Sequence, residues 1–454
     1  MRQTENYWRL QAAEVEAELL KRMPENKLRP RLEPTRRAAD LLGNPQRNFR
    51  VIHVTGTNGK TSTTRFIERI LREHGLRTGR FTSPHLLAIN ERIAIDGEPV
   101  DNERLATIWQ EIEPILKLVD EELAASGESA LTYFEALSLL AFAIFADAPI
   151  DVLALEVGMG GQWDSTNIAD GDVAVFTPIS LDHTERLGFS LEEIATTKSG
   201  IIKPGSRVVI GFQPPEAKAV LESKAGAIAE ATYELGRDFS VSTIEAIGGA
   251  QRISVRGLAA DYESLLLPVI GDFQAENAAV AIAAVESFLG DARAPISSDI
   301  LRAALADVSS PGRMQLISRE PLTILDAAHN PAGMQTLSSE IRNLYPNVAV
   351  HAVVAVLAEK DVEQIFQQLA PLVSTITLTA SSSPRALSAD DLLAVASNFL
   401  PGEKLRTADS VAEAVDRAQG LAQSQTGACV LVTGSISLVA DVLKLQTENE
   451  DYDA

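Results

Sequence analysis

Cysteine is almost absent: Cys429 is the single one in a chain of 454 residues. One thiol cannot close an internal disulfide, which fits a reducing cytoplasmic setting. Its surroundings, Ala428-Cys429-Val430-Leu431-Val432, read as a buried strand. Positive charge is also short, with 40 Lys and Arg against 62 Asp and Glu and a net charge of -22. That balance argues against a nucleic-acid surface. The N-terminus, Met1-Arg2-Gln3-Thr4-Glu5-Asn6, lacks an apolar signal core. The longest uncharged apolar stretch, Ala136 to Ala146, stops at Asp147 and is too short to span a bilayer. No internal repeat or low-complexity tract is present.

What is there begins with Arg50-Val51-Ile52-His53-Val54-Thr55-Gly56-Thr57-Asn58-Gly59-Lys60-Thr61-Ser62. The β-branched run Val51 to Thr55 predicts a strand, and Phe66, Ile67, Ile70 and Leu71 recur at helical spacing in a stretch from Thr63 to His74. Between them Gly56 and Gly59 let backbone N–H groups converge without a Cβ in the way. A helix start adds partial positive charge, so a polyphosphate fits there. Lys60 reaches toward the terminal phosphates, and Thr61 or Ser62 offers a hydroxyl to Mg²⁺. The strict Walker pattern fails at one position, where Val54 replaces the first glycine. A glycine turn closing an ordinary β–α unit is the plain alternative, and the Lys-Thr pair at the helix mouth favours phosphate. Salt screens the long-range repulsion of a negative chain beyond about 8 Å, so positive charge is needed locally.

The length predicts roughly two or three domains. Residues 1 to 49 read as helical, with Trp8, Leu10, Val15, Leu19 and Leu20 as a buried stripe. A hairpin follows around the Asp96-Gly97 turn, then helices over 101–125 and 132–146. Strands Ile150 to Glu156, Val173 to Thr177 and Val208 to Ile210 are apolar enough for a buried parallel sheet. Short alternating segments over 238–270 predict a small antiparallel appendage. Gly290 to Pro295 is the linker candidate, and strands near 322–325, 348–356, 375–379 and 429–433 open a second alternating block. The fold class is therefore α/β: an N-terminal doubly wound P-loop domain (1–295) with the appendage, a C-terminal Rossmann-like domain (296–446) and an acidic flexible tail (447–454).

Strand ends hold the candidate chemistry. Glu156 is equally a Walker-B-like metal ligand or an ordinary strand-end acid. His183, in Ser180-Leu181-Asp182-His183, reads as a loop histidine, with a divalent metal as the sharper alternative. Lys198, taken alone, is a solvated helix lysine. Asp326 and His329, in Asp326-Ala327-Ala328-His329-Asn330-Pro331, are left for ligand contacts while Asn330-Pro331 starts a helix. Arg313 is a phosphate fork or a surface ion pair.

Gly56 to Ser62, Thr82-Ser83-Pro84-His85, Glu156-Val157-Gly158-Met159-Gly160-Gly161, Leu181-Asp182-His183, Lys198-Ser199-Gly200-Ile201-Ile202, Ser310-Pro311-Gly312-Arg313 and Asp326 to Pro331 occur in this order. As a set they resemble the folylpolyglutamate synthase/dihydrofolate synthase branch of the Mur ligase superfamily, from about residue 30 to 440. The resemblance implies an ATP-dependent amide ligase: a carboxylate takes the γ-phosphoryl group, and glutamate displaces phosphate from the acyl phosphate. It implies ATP-loop contacts from Gly56, Thr57, Asn58, Gly59, Lys60, Thr61 and Ser62. Ser83, Glu156 and His183 become Mg²⁺ ligands, and a carbamylated Lys198 helps hold a second Mg²⁺. Asn277 contacts adenine, and Arg313 and Asp326 contact phosphates and ribose. His329 and Ser435 meet the incoming glutamate. Thr132 and Phe134 take the pterin, with Trp163, Asp164 and Ser165 lining its pocket. Ser199 replaces the alanine usual after the modified lysine, and around Lys27 to Pro30 the match is poor, so no site is assigned there.

The resemblance further implies a cytoplasmic monomer acting on folate or dihydropteroate, L-glutamate and ATP, with no nucleic-acid or membrane partner. Two rivals remain. A UDP-muramyl amino-acid ligase usually carries a further N-terminal domain, for which about fifty residues before the loop are few, and Ser83-Pro84-His85 favours folate. A GTPase-type switch needs Asn-Lys-x-Asp, but the one Asn-Lys pair, Asn26-Lys27, continues as Leu28-Arg29.

Overall fold

A computed structural model describes residues 2–24 and 30–453. The chain divides into two compact units, one of Met1–Thr243, Ile253–Leu266 and Ala275–Val308, the other of Ile244–Arg252, Leu267–Gln274 and Ser309–Ala454. The first unit extends past the 1–295 span read from the linker. Its helix Ser298–Ala306 packs on helix Lys60–Glu73, and Arg69 Nε donates to Asp307 at 3.2 Å beside that contact.

The first unit is built on an eight-stranded sheet. Its strands are β1 (Arg50–Thr55), β2 (Thr78–Phe81), β3 (Ile93–Ile95), β4 (Glu98–Pro99), β5 (Val152–Glu156), β6 (Val173–Phe176), β7 (Arg207–Ile210) and β8 (Ala231–Glu234). They lie in the order β4-β3-β2-β5-β1-β6-β7-β8. From β2 to β8 every pairing is parallel, and only the β2-β3-β4 edge is antiparallel. β1 lies between β5 and β6, with Val54 opposite Glu156 and Thr55 opposite Phe176. The loops leaving β1, β2, β5 and β6 therefore emerge at one end of the sheet, where doubly wound proteins bind ligands.

Helix Tyr133–Asp147 is buried on nearly all sides, which accounts for its long apolar run without a bilayer. Among the described residues no helix is long and apolar enough to cross a membrane. The hairpin turn is as expected, with Asp96 and Gly97 both left-handed at φ 50 and 86. The helix after the phosphate loop begins at Lys60, earlier than the predicted Thr63. Gly59, at φ 86, swings the backbone straight into the first turn, so Lys60, Thr61 and Ser62 are that turn.

The N-terminal stripe needs one correction. In helix Arg2–Leu20 the core receives Ala12, Val15 and Leu19, with Trp8 packed against them, whereas Leu10 and Leu20 are 53% and 66% exposed. Positions 8, 12, 15 and 19 share one face at helical spacing; 10 and 20 fall out of phase with it.

The appendage is a three-stranded sheet of β9 (Ser240–Ile247), β10 (Ala250–Arg256) and β11 (Asp261–Leu267), ordered β11-β10-β9. The second unit holds β12 (Gln315–Arg319), β13 (Leu322–Leu325), β14 (Ala349–Val354), β15 (Val373–Leu378), β16 (Leu405–Thr407) and β17 (Ala428–Thr433) in the order β12-β13-β17-β14-β15-β16. Only β12 runs antiparallel. Cys429 is buried in β17, where its thiol is pushed up to about 12 by burial. The last helix, Ile436–Asp453, carries the acidic segment read as a flexible tail in helical form as far as Asp453.

The phase of the first helix is open to a direct check. Leu19→Ala should lower unfolding free energy by about 2–5 kcal/mol, as for a buried leucine. Leu20→Ala should stay within about 0.5 kcal/mol. Urea unfolding of both variants measures the difference.

Candidate active site

The β1 loop is shaped by what its glycines allow. A Cβ on Gly56 would lie 1.9 Å from Thr177 Oγ1, and one on Gly59 would lie 2.6 Å from Asn277 Oδ1. Only glycine fits at either place, and Asn277, expected at adenine, stands directly against the loop. Thr57 pins the loop to the chain after β6: its N–H donates to Pro178 O at 2.9 Å and its hydroxyl to Ser180 O at 3.1 Å. Lys60 Nζ donates to Thr57 O at 3.1 Å, across the mouth of the loop.

Glu156 closes the other side. Its Oε1 accepts from Thr61 Oγ1 at 2.9 Å, and its Oε2 from the Ser83 N–H at 3.3 Å. One buried carboxylate thus joins the loops after β1, β2 and β5. The Ser83 segment is itself held by Glu91, whose carboxylate accepts from the N–H groups of Leu86, Leu87 and Ala88 at 2.9, 2.7 and 2.9 Å. Sequence reasoning passed over Glu91; its signal is an acid placed to cap the turn before β3.

His183 follows β6 in the left-handed region at φ 52, its N–H donating to Asp182 Oδ1 at 2.8 Å. Lys198 is not the solvated helix lysine that it looks like in isolation. It ends helix Leu191–Lys198, is buried, and donates from Nζ to Gly56 O at 2.7 Å. Burial, reinforced by Lys60, brings its amine down to about 7. Glycines create this position: a Cβ on Gly161 would lie 2.7 Å from Lys198 O, and one on Gly200 2.4 Å from Gln162 Cα. Ser199 bonds back to Thr196 O at 2.7 Å, so the serine occupies its place without disturbing Lys198.

The residues expected at the pterin come together, and their own contacts fix where each one sits. Thr132 caps helix Tyr133–Asp147 in a reciprocal pair with Glu135. Phe134 is buried, its ring 5.8 Å from that of Phe81 and pressed over Gly158. Asp164 accepts from Met159 N–H at 2.8 Å, Thr166 N–H at 3.0 Å and Thr166 Oγ1 at 2.5 Å. Burial raises its pKa, against those hydrogen bonds. Ser165 Oγ meets Ser138 Oγ at 2.7 Å, and Trp163 packs partly buried beside Leu187. Lys27 to Arg29, and with them Asn26-Lys27, lie outside the described residues.

In the second unit the loops after β13 and β17 lie side by side, joined by Gly434 N–H donating to Ala328 O at 3.0 Å. Asp326 is buried and accepts from Met314 N–H and Ala328 N–H, both at 2.8 Å. Burial raises its pKa and the Arg313 guanidinium opposes that rise. His329 Nδ1 is 2.8 Å from Ala327 O. Ser435 is fully buried, and its hydroxyl accepts from Leu438 N–H at 3.2 Å, capping the last helix.

A glycine phosphate loop on the central strand, with a carboxylate and a buried lysine against it, defines a nucleotide-using ligase site. Residues 54–285 match the Mur ligase middle domain, and residues 312–436 the Mur ligase glutamate ligase domain. The chain is 38% identical over 446 residues to the dihydrofolate synthase/folylpolyglutamate synthase of Mycobacterium tuberculosis, covering 93% of this chain and 91% of that one. The solved M. tuberculosis folylpolyglutamate synthase complexed with ADP and AMPPCP superposes with a TM-score of 0.91 at 37% identity, over 96% of this chain and 98% of that one. E. coli FolC in complex with DHPP and ADP gives 0.83 at 30% identity, over 97% and 98%. The chain belongs to the dihydrofolate synthase/folylpolyglutamate synthase family of Mur ligases.

The cap at Thr132 has a measurable share in stability. Thr132→Ala should cost about 1 kcal/mol, as loss of a helix cap does. Denaturant midpoints measure it, and a variant of unchanged stability would contradict the cap.

Proposed function

We propose that this chain is an ATP-dependent ligase that joins L-glutamate both to folates and to dihydropteroate, as a cytoplasmic monomer. The observation that carries this is the Glu156 carboxylate held between Thr61 Oγ1 and Ser83 N–H at the mouth of the glycine loop. The two-sided activity is favoured by relatives named for both reactions. The muramyl-ligase and nucleotide-switch alternatives lose to those same relatives.

The chemistry needs little covalent help from protein. The amides of Gly56 to Gly59 and the first turn of helix Lys60–Glu73 cradle the phosphates, and Lys60 neutralises the terminal one. An oxygen of the acceptor carboxylate bonds to the γ-phosphorus as ADP leaves, giving an acyl phosphate. The amine of glutamate then bonds to the acyl carbon, phosphate departs, and the amine loses a proton. In a site partly closed to water these charge contacts are worth several times their value of about 1 kcal/mol in bulk solvent.

The Glu156 carboxylate and the Thr61 hydroxyl bonded to it are oxygen donors of the kind that suit Mg²⁺, and Ser83, whose N–H joins the same carboxylate, and His183 are assigned with Glu156 as the residues that would hold it. When bound there, Mg²⁺ supplies charge neutralisation for phosphoryl transfer. Lys198 is assigned the carbamate role. Its amine near pKa 7 is substantially neutral at physiological pH, and the neutral form is the one that adds CO₂.

ADP release with ATP, Mg²⁺ and glutamate, measured while only the acceptor changes, tests this function. Turnover is expected with dihydropteroate and with tetrahydrofolate; turnover solely with a UDP-muramyl peptide would move the protein to the cell-wall ligases. Lys60→Ala should abolish ADP formation with every acceptor. Lys198→Ala should lose most activity and regain part of it with an added short carboxylic acid. In the unsubstituted protein, ¹³CO₂ uptake at Lys198 should rise from pH 6 to pH 8, because protons compete with CO₂ for Nζ below its pKa. A ¹³C NMR carbamate signal that does not grow with pH would remove that role.

A further inference from the structure

The helix that follows the phosphate loop carries a second cation that the mechanism above leaves unused. Arg65 stands four residues after Thr61 in helix Lys60–Glu73, one turn along the same face. Helical side chains lean back toward the N-terminus, so its guanidinium is carried toward the level of Thr61 and Glu156. The charges that act on it are Arg80, Glu91, Glu156 and Glu68. This is a mixed cluster of three carboxylates and a second arginine.

Each of those carboxylates is engaged elsewhere. Glu68 accepts from Thr78 Oγ1 at 2.7 Å and Arg72 Nε at 3.0 Å, and lies 3.5 Å from Arg80 Nη1. Glu91 holds the three amides of the Ser83 segment, and Glu156 holds Thr61 and Ser83. Arg65 Nε is buried without a hydrogen-bond partner, as is Arg80 Nε. Arg65 retains partial exposure, whereas Arg80 is buried. Burial lowers the Arg65 guanidinium to about 10, with Arg80 adding to the effect and Glu91, Glu156 and Glu68 opposing it. A planar fork in such a place matches a carboxylate.

We propose that Arg65 binds the reacting carboxylate of the acceptor substrate and holds it at the Glu156–Ser83 side of the phosphate loop. The proposal rests on the folate-ligase function above. The glycine-loop amides and Lys60 already serve the nucleotide phosphates, so the anion left for Arg65 is the one that attacks them.

Calorimetric binding to protein loaded with a non-hydrolysable ATP analogue and Mg²⁺ tests it. The two ligands are tetrahydrofolate and the same molecule with its reacting carboxylate converted to an amide. R65M is expected to weaken the carboxylate ligand by about tenfold or more, the scale of one lost charge-assisted pair. The amide should bind wild type and R65M equally weakly, R65K should recover part of the loss, and affinity for the ATP analogue should stay unchanged. Equal weakening of both ligands would overturn the proposal, as would a loss confined to the ATP analogue, which would make the γ-phosphate the anion. If R65M does not fold, the wild-type preference for carboxylate over amide and its reduction in R65K decide the same point. Wild-type protein that binds neither ligand overturns the folate function itself, whereas wild-type binding that R65M leaves intact overturns only the role of Arg65.

Discussion

The first unit depends on one buried carboxylate. Glu156 ends β5, yet its two oxygens are bonded to the first turn of the phosphate-loop helix and to the backbone after β2. A buried anion is costly unless its partners are fixed. These partners are fixed by neighbouring parallel strands that bring three loops to one edge. The register Val54 opposite Glu156 is what puts the acid level with the loop. Chemistry and fold meet in that pairing.

A second buried chain stiffens the same edge. Thr166 Oγ1 donates to Asp164, so it accepts from His53 Nε2, 3.0 Å away, and His53 is neutral because burial pushes it down to about 3. Asp164 in turn holds Met159 N–H, and Thr55 Oγ1 holds Gly160 O at 2.8 Å. The glycine segment after β5 is therefore tied to β1 at two points. Against it rests the end of the helix that delivers Lys198 to Gly56 O. A polar network of this kind defines one arrangement because each member loses a partner in any other.

Much of this was legible in the chain. The phosphate loop could be read because its parts are adjacent in sequence: an apolar β-branched strand, two glycines, and Lys-Thr at a helix start. Glu156 could be read as the acid ending a buried strand, a metal ligand or an ordinary strand-end acid with equal weight, and the resemblance chose between them. What escaped was set by distant contacts. The depth of Lys198 depends on Gly161 and Gly200, far apart along the chain, letting two backbones touch. The capping roles of Thr132 and Ser435 likewise depend on where their hydroxyls end up in the fold. The short edge strands β12 and β16 lack a strong apolar pattern because edges need none. The end of the first unit was masked by Gly290 to Pro295, a linker by composition that lies before a helix still packed on the same body.

Glu156 and Ser83 are proposed to face the end of the nucleotide that would carry the metal. Anomalous diffraction from crystals grown with Mn²⁺ and a non-hydrolysable ATP analogue tests it most directly. A manganese peak bonded to Glu156 and Ser83 beside the terminal phosphate is predicted. A peak elsewhere, with Glu156 still bridging Thr61 and Ser83, would contradict the account.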